Sequence, residues 1–334
     1  MKIGYLGKQD AMAVELLGKL KTENSEDNFF TWLPGEQAPA MDLDVLISIG
    51  KVGAKEFEGQ TKLGLLQTAS AGFEDVDVDA ATAAGIWVAS APTTETGNGE
   101  SVAEFAVLLM LSASRRLNEE LAWTRDPTMS RSEKPGMNKA LYGKKVCIVG
   151  LGGIGDLLVE RLRGFGVTLI GVDGHPERAP AGVKGFGIHQ LKQAVADADY
   201  VVLAIPGSKE NENLINAEVL QSMKKGAVLV NVARGILIEE SDLIAAVKSG
   251  HLYGAGLDVV KGEPVKPGNP LLAESRILVT PHIAGSTDIM LAGTVKYLNE
   301  VLARYRNGEQ PEGVVNEPKQ PKVPLRSEAL AKAS

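Results

Sequence analysis

Short apolar runs alternate with amphipathic stretches along most of the chain. The runs Lys2–Leu6, Val45–Ile49, Leu65–Thr68 and Ile86–Ala89 are separated by segments such as Ala11–Leu20, where apolar residues recur at helical spacing. Runs this short, bounded by polar turns, read as strands buried on both faces, and strands alternating with helices imply a parallel sheet covered by helices. The pattern breaks at the polar, glycine-containing stretch Ala91–Gly99, which reads as a hinge. A long apolar helix is then predicted from Ser101, where Ser101 and Glu104 have the Ser-x-x-Glu spacing of a capping box. Its broad apolar face, with Val102, Phe105, Ala106, Leu108 and Leu109, calls for burial on most sides. A second alternating series begins at Lys145, with strands predicted at Val146–Val149, Thr168–Val172, Tyr200–Ile205, Ala227–Val232, Gly256–Val259 and Ile277–Thr280. This is the pattern of a doubly wound sheet that can hold a dinucleotide. A helix is predicted over about Thr287–Arg306. The segment from Glu317, with Pro318, Pro321 and Pro324 among charges, is expected to have no fixed fold of its own.

At 334 residues the chain exceeds what one hydrophobic core usually serves. Two α/β domains are predicted: residues 1–97 plus 287–316, and an inserted nucleotide domain at 98–286, followed by a flexible tail at 317–334. The formal net charge of −7 and the lack of a basic run argue against a nucleic-acid partner. The N-terminus has no signal-peptide pattern, and the most apolar stretch, Val102–Ala113, is shorter than the roughly 20 residues of a membrane span. A cytoplasmic protein with no membrane partner is the expectation. The single cysteine, Cys147, lies in a predicted buried strand and reads as a small core hydrophobe; no paired Cys or His residues suggest a metal.

The segment Gly150-Leu151-Gly152-Gly153-Ile154-Gly155 has the G-x-G-x-x-G spacing. Such a motif is weak alone, but here it follows a strand and opens a helix. Gly150 permits the tight turn, Gly152 lets a pyrophosphate approach the backbone, and Gly155 lets helix and strand pack closely. The N–H groups and dipole of the helix start then face the phosphates. Asp173 closes the next strand, where a carboxylate would accept hydrogen bonds from the ribose hydroxyls and repel the extra phosphate of NADP. NAD is therefore predicted over NADP, with nearby Arg178 the one feature pulling the other way.

Three later segments follow strands and carry reactive side chains: Asn231-Val232-Ala233-Arg234-Gly235, Gly256-Leu257-Asp258-Val259-Val260-Lys261-Gly262-Glu263-Pro264, and Thr280-Pro281-His282-Ile283-Ala284-Gly285-Ser286-Thr287. Together with Gly72-Phe73-Glu74-Asp75-Val76-Asp77 and Ala84-Gly85-Ile86, these segments resemble, in order, the D-isomer-specific 2-hydroxyacid dehydrogenase family, over about Leu65–Val315. The resemblance implies a Rossmann-type doubly wound sheet inserted into a flavodoxin-like α/β domain. It also implies an NAD-dependent dehydrogenase moving a hydride to or from C2 of a small D-2-hydroxy acid. Arg234, Glu263 and His282 are the implied catalytic trio. His282 would exchange the proton of the C2 oxygen. Glu263 would raise its basicity. The forked guanidinium of Arg234 would hold the substrate carboxylate and polarise its carbonyl.

By the same resemblance, Ser70, Ala71 and Gly72 meet the substrate carboxylate, along with Arg234 and His282. The cofactor contacts are Gly150, Gly152, Gly153, Ile154, Gly155, Asp173, Ile205, Pro206, Val232, Ala233, Arg234, His282 and Gly285. Asp258 is expected at the nicotinamide carboxamide or adjacent ribose, with a cap on the strand end as the alternative. Val260 departs from the family, which commonly has Phe there. The loop after Ser70 lacks the Lys of related phosphite dehydrogenases. An NAD(H)-sensing corepressor-like binding protein of the same fold is the alternative function, though binding alone does not need the trio. A homodimer is expected, built on the apolar helix and the segment Thr124–Tyr142.

Overall fold

A computed structural model describes residues 1–327 apart from 8, 37, 39, 40, 127 and 129–136. The chain forms two compact units, Met1–Asn98 with Thr287–Ser334 (unit 1) and Gly99–Ser286 (unit 2).

Unit 1 begins with β1 (Lys2–Leu6), α1 (Ala11–Glu23), β2 (Asn28–Trp32), β3 (Val45–Ser48), α2 (Ala54–Phe57), β4 (Leu65–Thr68), α3 (Val78–Ala83) and β5 (Trp87–Ala89). Its five strands are parallel in the order β2-β1-β3-β4-β5. Every residue of β3 and β4 is buried, because helices cover both faces. Alternate residues supply two cores: Ile3, Tyr5, Ile47 and Trp87 on one face, Leu6, Leu46, Leu66 and Val88 on the other.

Unit 2 contains α4 (Asn98–Ser114), α5 (Leu117–Arg125), β6 (Lys145–Val149), α6 (Gly153–Arg163), β7 (Thr168–Asp173), β8 (Val183–Gly187), α7 (Leu191–Val195), β9 (Tyr200–Leu203), α8 (Ala217–Ser222), β10 (Val228–Asn231), α9 (Glu240–Lys248), β11 (Gly254–Leu257) and β12 (Ile277–Val279). Its seven strands run parallel in the order β12-β11-β10-β9-β6-β7-β8. The order reverses between β6 and β9, the switch point where such sheets bind ligands. Val146 and Ile148 join the core under α4 and α6; Cys147 and Val149 join the one under α7, α8 and α9. Burial pushes the Cys147 thiol up to about 12, so it stays protonated. Among the described residues no helix is long and apolar enough to cross a membrane.

The chain returns to unit 1 through α10 (Asp288–Arg306), capped by the Thr287 hydroxyl, which accepts from the Met290 N–H, and packed through Leu298, Val301, Leu302 and Tyr305. Three expectations need correction. The apolar helix starts at Asn98, so Ser101 lies inside its first turn and is buried, while Glu104 reaches Arg161 instead of the helix start. No capping box forms there. Residues 317–327 are not independent of the fold: the Lys322 N–H donates to Gly85, the Trp87 indole N–H donates to the Val323 carbonyl, and Leu325 is buried. A carbonyl and an indole N–H from earlier in unit 1 thus satisfy a segment whose composition suggests disorder. Two strands, β2 and β8, were not predicted at all; both are sheet edges.

Candidate active site

The site of unit 2 is built from the loops at the carboxyl ends of β6, β9, β10, β11 and β12. At β6, Gly150 adopts φ +102°, and a Cβ there would lie 2.5 Å from the Ala204 carbonyl oxygen that follows β9. A Cβ on Gly155 would meet the Gly150 carbonyl at 2.0 Å. Both glycines are therefore required by backbone packing. Gly152 differs: nothing lies within 4 Å of its Cβ position. The open side of the turn lies over the start of α6, whose first helical residues are Gly153 and Ile154. Asp173 ends β7 with one carboxylate oxygen accepting from the Leu151 N–H (2.9 Å) and the other from the His175 N–H (2.9 Å). This holds the carboxylate beside the glycine turn and leaves about two of its four acceptor positions open. The residues fit a dinucleotide: an uncrowded glycine turn, a helix start and an oriented carboxylate. Arg178 is exposed and pairs with Glu177. Ile205 and Pro206 follow β9, half-buried and exposed respectively, and Val232 and Ala233, both buried, follow β10.

The Asn231-to-Arg234 spacing has a local cause. Buried Asn231 accepts from the Ala233 N–H (3.0 Å) and donates to the Arg234 carbonyl (2.9 Å), closing the turn that presents Arg234. One guanidinium N–H of Arg234 donates to the Ala233 carbonyl at 2.8 Å. Two glycines complete this arrangement: Gly207, which pattern reading passed over, and Gly235, which it quoted only as the end of the Asn231–Gly235 motif. A Cβ on Gly207 would lie 2.6 Å from Arg234 Cγ and 2.7 Å from its Cβ. A Cβ on Gly235 would lie 2.1 Å from the Val260 carbonyl carbon, so Gly235 lets the Arg234 loop rest on the loop that carries Glu263. Lys261 ties these loops again: its ammonium donates to Asn213 (2.7 Å) and Glu239 (3.0 Å) and its N–H to Glu240 (2.7 Å).

Glu263 accepts from the Val260 N–H through Oε1 (3.0 Å) and meets His282 Nδ1 through Oε2 at 2.6 Å. Partial burial works against its charge, but the His282 hydrogen bond, the Val260 N–H and the Arg234 charge together hold the carboxyl below its ordinary range. His282 is pushed upward: the Glu263 hydrogen bond outweighs desolvation, and the Glu263 and Asp258 charges add to it against Arg234. With Nδ1 committed to Glu263, Nε2 is the ring position left for proton exchange.

His282 has φ +56°, the left-handed region, and costs about 1–2 kcal/mol there as a residue with a side chain. Asp258 supplies the restraint. Its carbonyl accepts from the His282 N–H (2.9 Å). Its buried carboxylate accepts from the Thr280 hydroxyl (2.6 Å), the Ile283 N–H (3.0 Å) and the Ala284 N–H (2.8 Å). Three of about four acceptor positions of the Asp258 carboxylate thus serve the strand-end cap of the His282 loop, the alternative reading of this residue, and the expected cofactor contact stays a proposal. Gly285 lies in the same turn, half-buried.

Ser70, Ala71 and Gly72 lie in unit 1, after β4. The Thr68 hydroxyl donates to the Ser70 carbonyl (2.6 Å) and the Ser70 hydroxyl to the Gly72 carbonyl (3.1 Å). The N–H groups of Ala71 and Gly72 donate to no acceptor among the described residues.

Comparison with known proteins bears on this constellation. Residues 107–284 match the D-isomer specific 2-hydroxyacid dehydrogenase family over its NAD binding domain, which makes NAD the cofactor of unit 2. D-3-phosphoglycerate dehydrogenase of Mycobacterium tuberculosis is 37% identical over 249 residues, 75% of this chain but 46% of that protein, so the chain spans about half the length of such relatives. Glyoxylate reductase of Thermococcus kodakarensis is 33% identical over 284 residues, 82% of this chain and 84% of that one. The NAD-dependent formate dehydrogenase of Staphylococcus aureus, solved with NAD, superposes with a TM-score of 0.81 at 27% identity over 95% of this chain and 100% of that one. The chain belongs to the D-isomer-specific 2-hydroxyacid dehydrogenase family.

Proposed function

We propose that this chain is an NAD-dependent dehydrogenase acting at C2 of a small D-2-hydroxy acid or its 2-keto acid, with His282 as the acid and base. The observation that carries this reading is the 2.6 Å contact between His282 Nδ1 and Glu263. A carboxylate at Nδ1 leaves Nε2 to trade a proton, and the raised imidazolium pKa suits proton donation near neutral pH. A nucleotide-binding protein without chemistry has no need of such a pair.

In the reductive direction Arg234 holds the substrate carboxylate and draws electron density from the C2 carbonyl. The Ala71 and Gly72 N–H groups are the further carboxylate donors that the family resemblance assigns. Bound NADH supplies the hydride. As the C2=O bond becomes C2–O, His282 gives its Nε2 proton to that oxygen, and Glu263 stabilises the imidazolium beforehand. Oxidation reverses each movement. Asp258 acts through the backbone of residues 282–284, keeping the imidazole in place.

The test is NADH oxidation with a panel of 2-keto acids, on wild type and His282→Ala. Turnover that falls by about 10²–10⁴ in the variant supports the reading. Tight NADH binding with no turnover on any acid overturns it in favour of a nucleotide sensor. A homodimer is part of the same proposal, supported by exposed Leu108, Leu117 and Leu121 on α4 and α5 and by exposed Met137 and Tyr142. Residues 127 and 129–136 of the expected dimer segment lie outside the described residues. Sedimentation as a concentration-independent monomer would refute the dimer.

A further inference from the structure

Lys261 sits at a crossing of three loops on the carboxyl edge of the unit 2 sheet: residues 213–215 after β9, 236–240 after β10 and 258–263 after β11. The first two are laced together by backbone. The Asn213 N–H donates to the Ile236 carbonyl (2.9 Å), the Ile215 N–H to the Leu237 carbonyl (2.9 Å) and the Glu239 N–H to the Ile215 carbonyl (3.0 Å). Lys261 fastens the third loop to this pair. Its ammonium donates to Asn213 Oδ1 (2.7 Å) and Glu239 Oε2 (3.0 Å), and its backbone N–H donates to Glu240 (2.7 Å). Asn213 presents its acceptor from a left-handed turn, at φ +51°. The loop after β10 also carries Arg234, so one lysine braces the Arg234 loop against the Glu263 loop.

The chain just past Lys261 is loosely tethered. Gly262 has φ +72° with nothing within 4 Å of its Cβ position, and glycine rotates with little steric cost. Among the described residues, no acceptor takes a backbone N–H from residues 262–266, although Val265 packs on the core. Glu263 is therefore located from upstream, by the Val260 N–H at 3.0 Å and by the backbone of Val260 and Lys261. That backbone rests on Gly235, whose Cβ position lies 2.1 Å from the Val260 carbonyl carbon and 2.6 Å from the Lys261 nitrogen. The contact stops the loop from moving inward, and the Lys261 bonds stop it from lifting away. The charges that act on Glu263 are those of His282 and Arg234, while Glu239 and Glu240 neutralise the Lys261 ammonium locally. Lys261 thus acts on Glu263 through position.

We infer that Lys261 is a positioning residue for the acid–base pair: by holding the loop after β11 to Asn213 and Glu239, its ammonium keeps the Glu263 carboxylate within reach of His282 Nδ1. The catalytic consequence rests on the dehydrogenase reading; the structural one rests on the Glu263–His282 contact alone. The Lys261 side chain is 34% exposed, and ion pairs at such positions add little to stability. Its loss should loosen the site far more than the fold.

The experiment compares wild type with Lys261→Met, Lys261→Arg and Asn213→Gly. Residues 213 and 261 are both partly exposed, so the variants should fold. The titration of His282 is followed by NMR on histidine-labelled protein, its signal picked out of the four histidines by its loss in His282→Ala. Beside it stand kcat and KM for the best 2-keto acid and NADH affinity by fluorescence titration. In Lys261→Met, His282 should titrate lower, toward about 6.5, as Glu263 moves away. The kcat should fall by about tenfold or more, with KM and NADH affinity changed only a few-fold. Lys261→Arg keeps the charge and the donors and should recover most of both losses. Asn213→Gly keeps the left-handed backbone, deletes one acceptor and should lower the His282 titration by less. A His282 titration unchanged in both Lys261→Met and Asn213→Gly, or a loss confined to NADH affinity, overturns this proposal while leaving the dehydrogenase reading standing. No turnover of wild type on any 2-keto acid overturns that reading, and the His282 titration then still decides whether Lys261 places Glu263.

Discussion

Gly207 offers the sharpest test of how the site is assembled, because it carries no chemistry of its own. A Cβ at this position would lie 2.6 Å from Arg234 Cγ, 2.7 Å from Arg234 Cβ and 3.1 Å from Ile236 Cγ2. Ordinary carbon contacts fall at about 3.5–4.0 Å, so Gly207→Ala must displace the Arg234 stem by about 1 Å. The clash is at the root of the side chain, where a small rotation is amplified at the guanidinium and the 2.8 Å bond to the Ala233 carbonyl is lost. Misplacement of that size costs about 10²-fold in catalysis. Gly207 has no left-handed φ, so the Cβ alone is responsible. Overpacking should destabilise by about 1–3 kcal/mol, visible in a thermal melt without unfolding the protein. The assay is kcat/KM for the best 2-keto acid, beside NADH affinity by fluorescence titration. We expect a loss of about 10²-fold in kcat/KM with NADH affinity changed only a few-fold, since Gly150, Gly152 and Asp173 lie apart from the clash. Wild-type kcat/KM in Gly207→Ala would refute the reasoning, because Arg234 would then not be where its stem requires it.

The remaining predictions concern charge and hydrogen bonding. With its pKa raised, His282 should support reduction to above its ordinary value of about 6.5, the rate falling as pH rises through the raised value; Glu263→Gln should move that fall down toward about 6.5 in the pH profile of kcat/KM. The same pair makes stability depend on pH. The His282 contribution is fully present below about 6.5 and is lost as pH rises through the raised value, while the Glu263 contribution is present above about 4.3 and is lost as pH falls through the lowered one. The melting difference between wild type and Glu263→Gln should therefore be largest from about pH 4.3 to 6.5, and a difference that grows above that range would count against it. Asp258→Asn would set an amide against the Ile283 or Ala284 N–H, costing about 1–3 kcal/mol and lowering Tm by several degrees, with kcat reduced through the loosened His282. Asp173→Ser should raise the NADPH-to-NADH ratio of kcat/KM, and an unchanged ratio would remove Asp173 from cofactor choice.

What pattern reading recovered and what it missed divide along burial. The interior strands β3, β4, β6, β9 and β10 are mostly apolar and buried along nearly their whole length because both faces are covered, and each was legible. The strands passed over were β2 and β8, the outer strands on one side of each sheet, with sequences Asn-Phe-Phe-Thr-Trp and Val-Lys-Gly-Phe-Gly. An edge strand is half exposed and ladder-bonded on one side, so its sequence carries neither a clean run nor a clean alternation. The capping box failed for a related reason. The Ser101-to-Glu104 spacing is a local rule, and the helix start moved upstream to Asn98, with Gly97 at φ +70° marking the turn before it. The segment from Glu317 read as disordered because its own composition cannot bury enough surface; its partners, Gly85 and Trp87, lie more than two hundred residues earlier.

In the site, chemistry-bearing residues were legible and their supports were not. Arg234, Glu263 and His282 stand in motifs whose residue types state what they can do. Gly207, Gly235 and Lys261 act only through contacts between loops that are far apart in sequence: Gly207 against the Arg234 stem, Gly235 against Val260, Lys261 onto Glu239 and Asn213. Asp258 shows the difference most clearly. A carboxylate after a strand in a nucleotide domain suggests a ligand acceptor, and only coordinates reveal that the Thr280, Ile283 and Ala284 donors are nearer claimants. Those donors exist because His282 is held in a left-handed conformation that reverses the chain. The turn that presents the imidazole to Glu263 also exposes backbone N–H groups, which need a buried anion to satisfy them. Placing His282 and binding Asp258 are thus one structural event, so substitutions at either position should perturb the same pH profile although only His282 is proposed to exchange the substrate's proton.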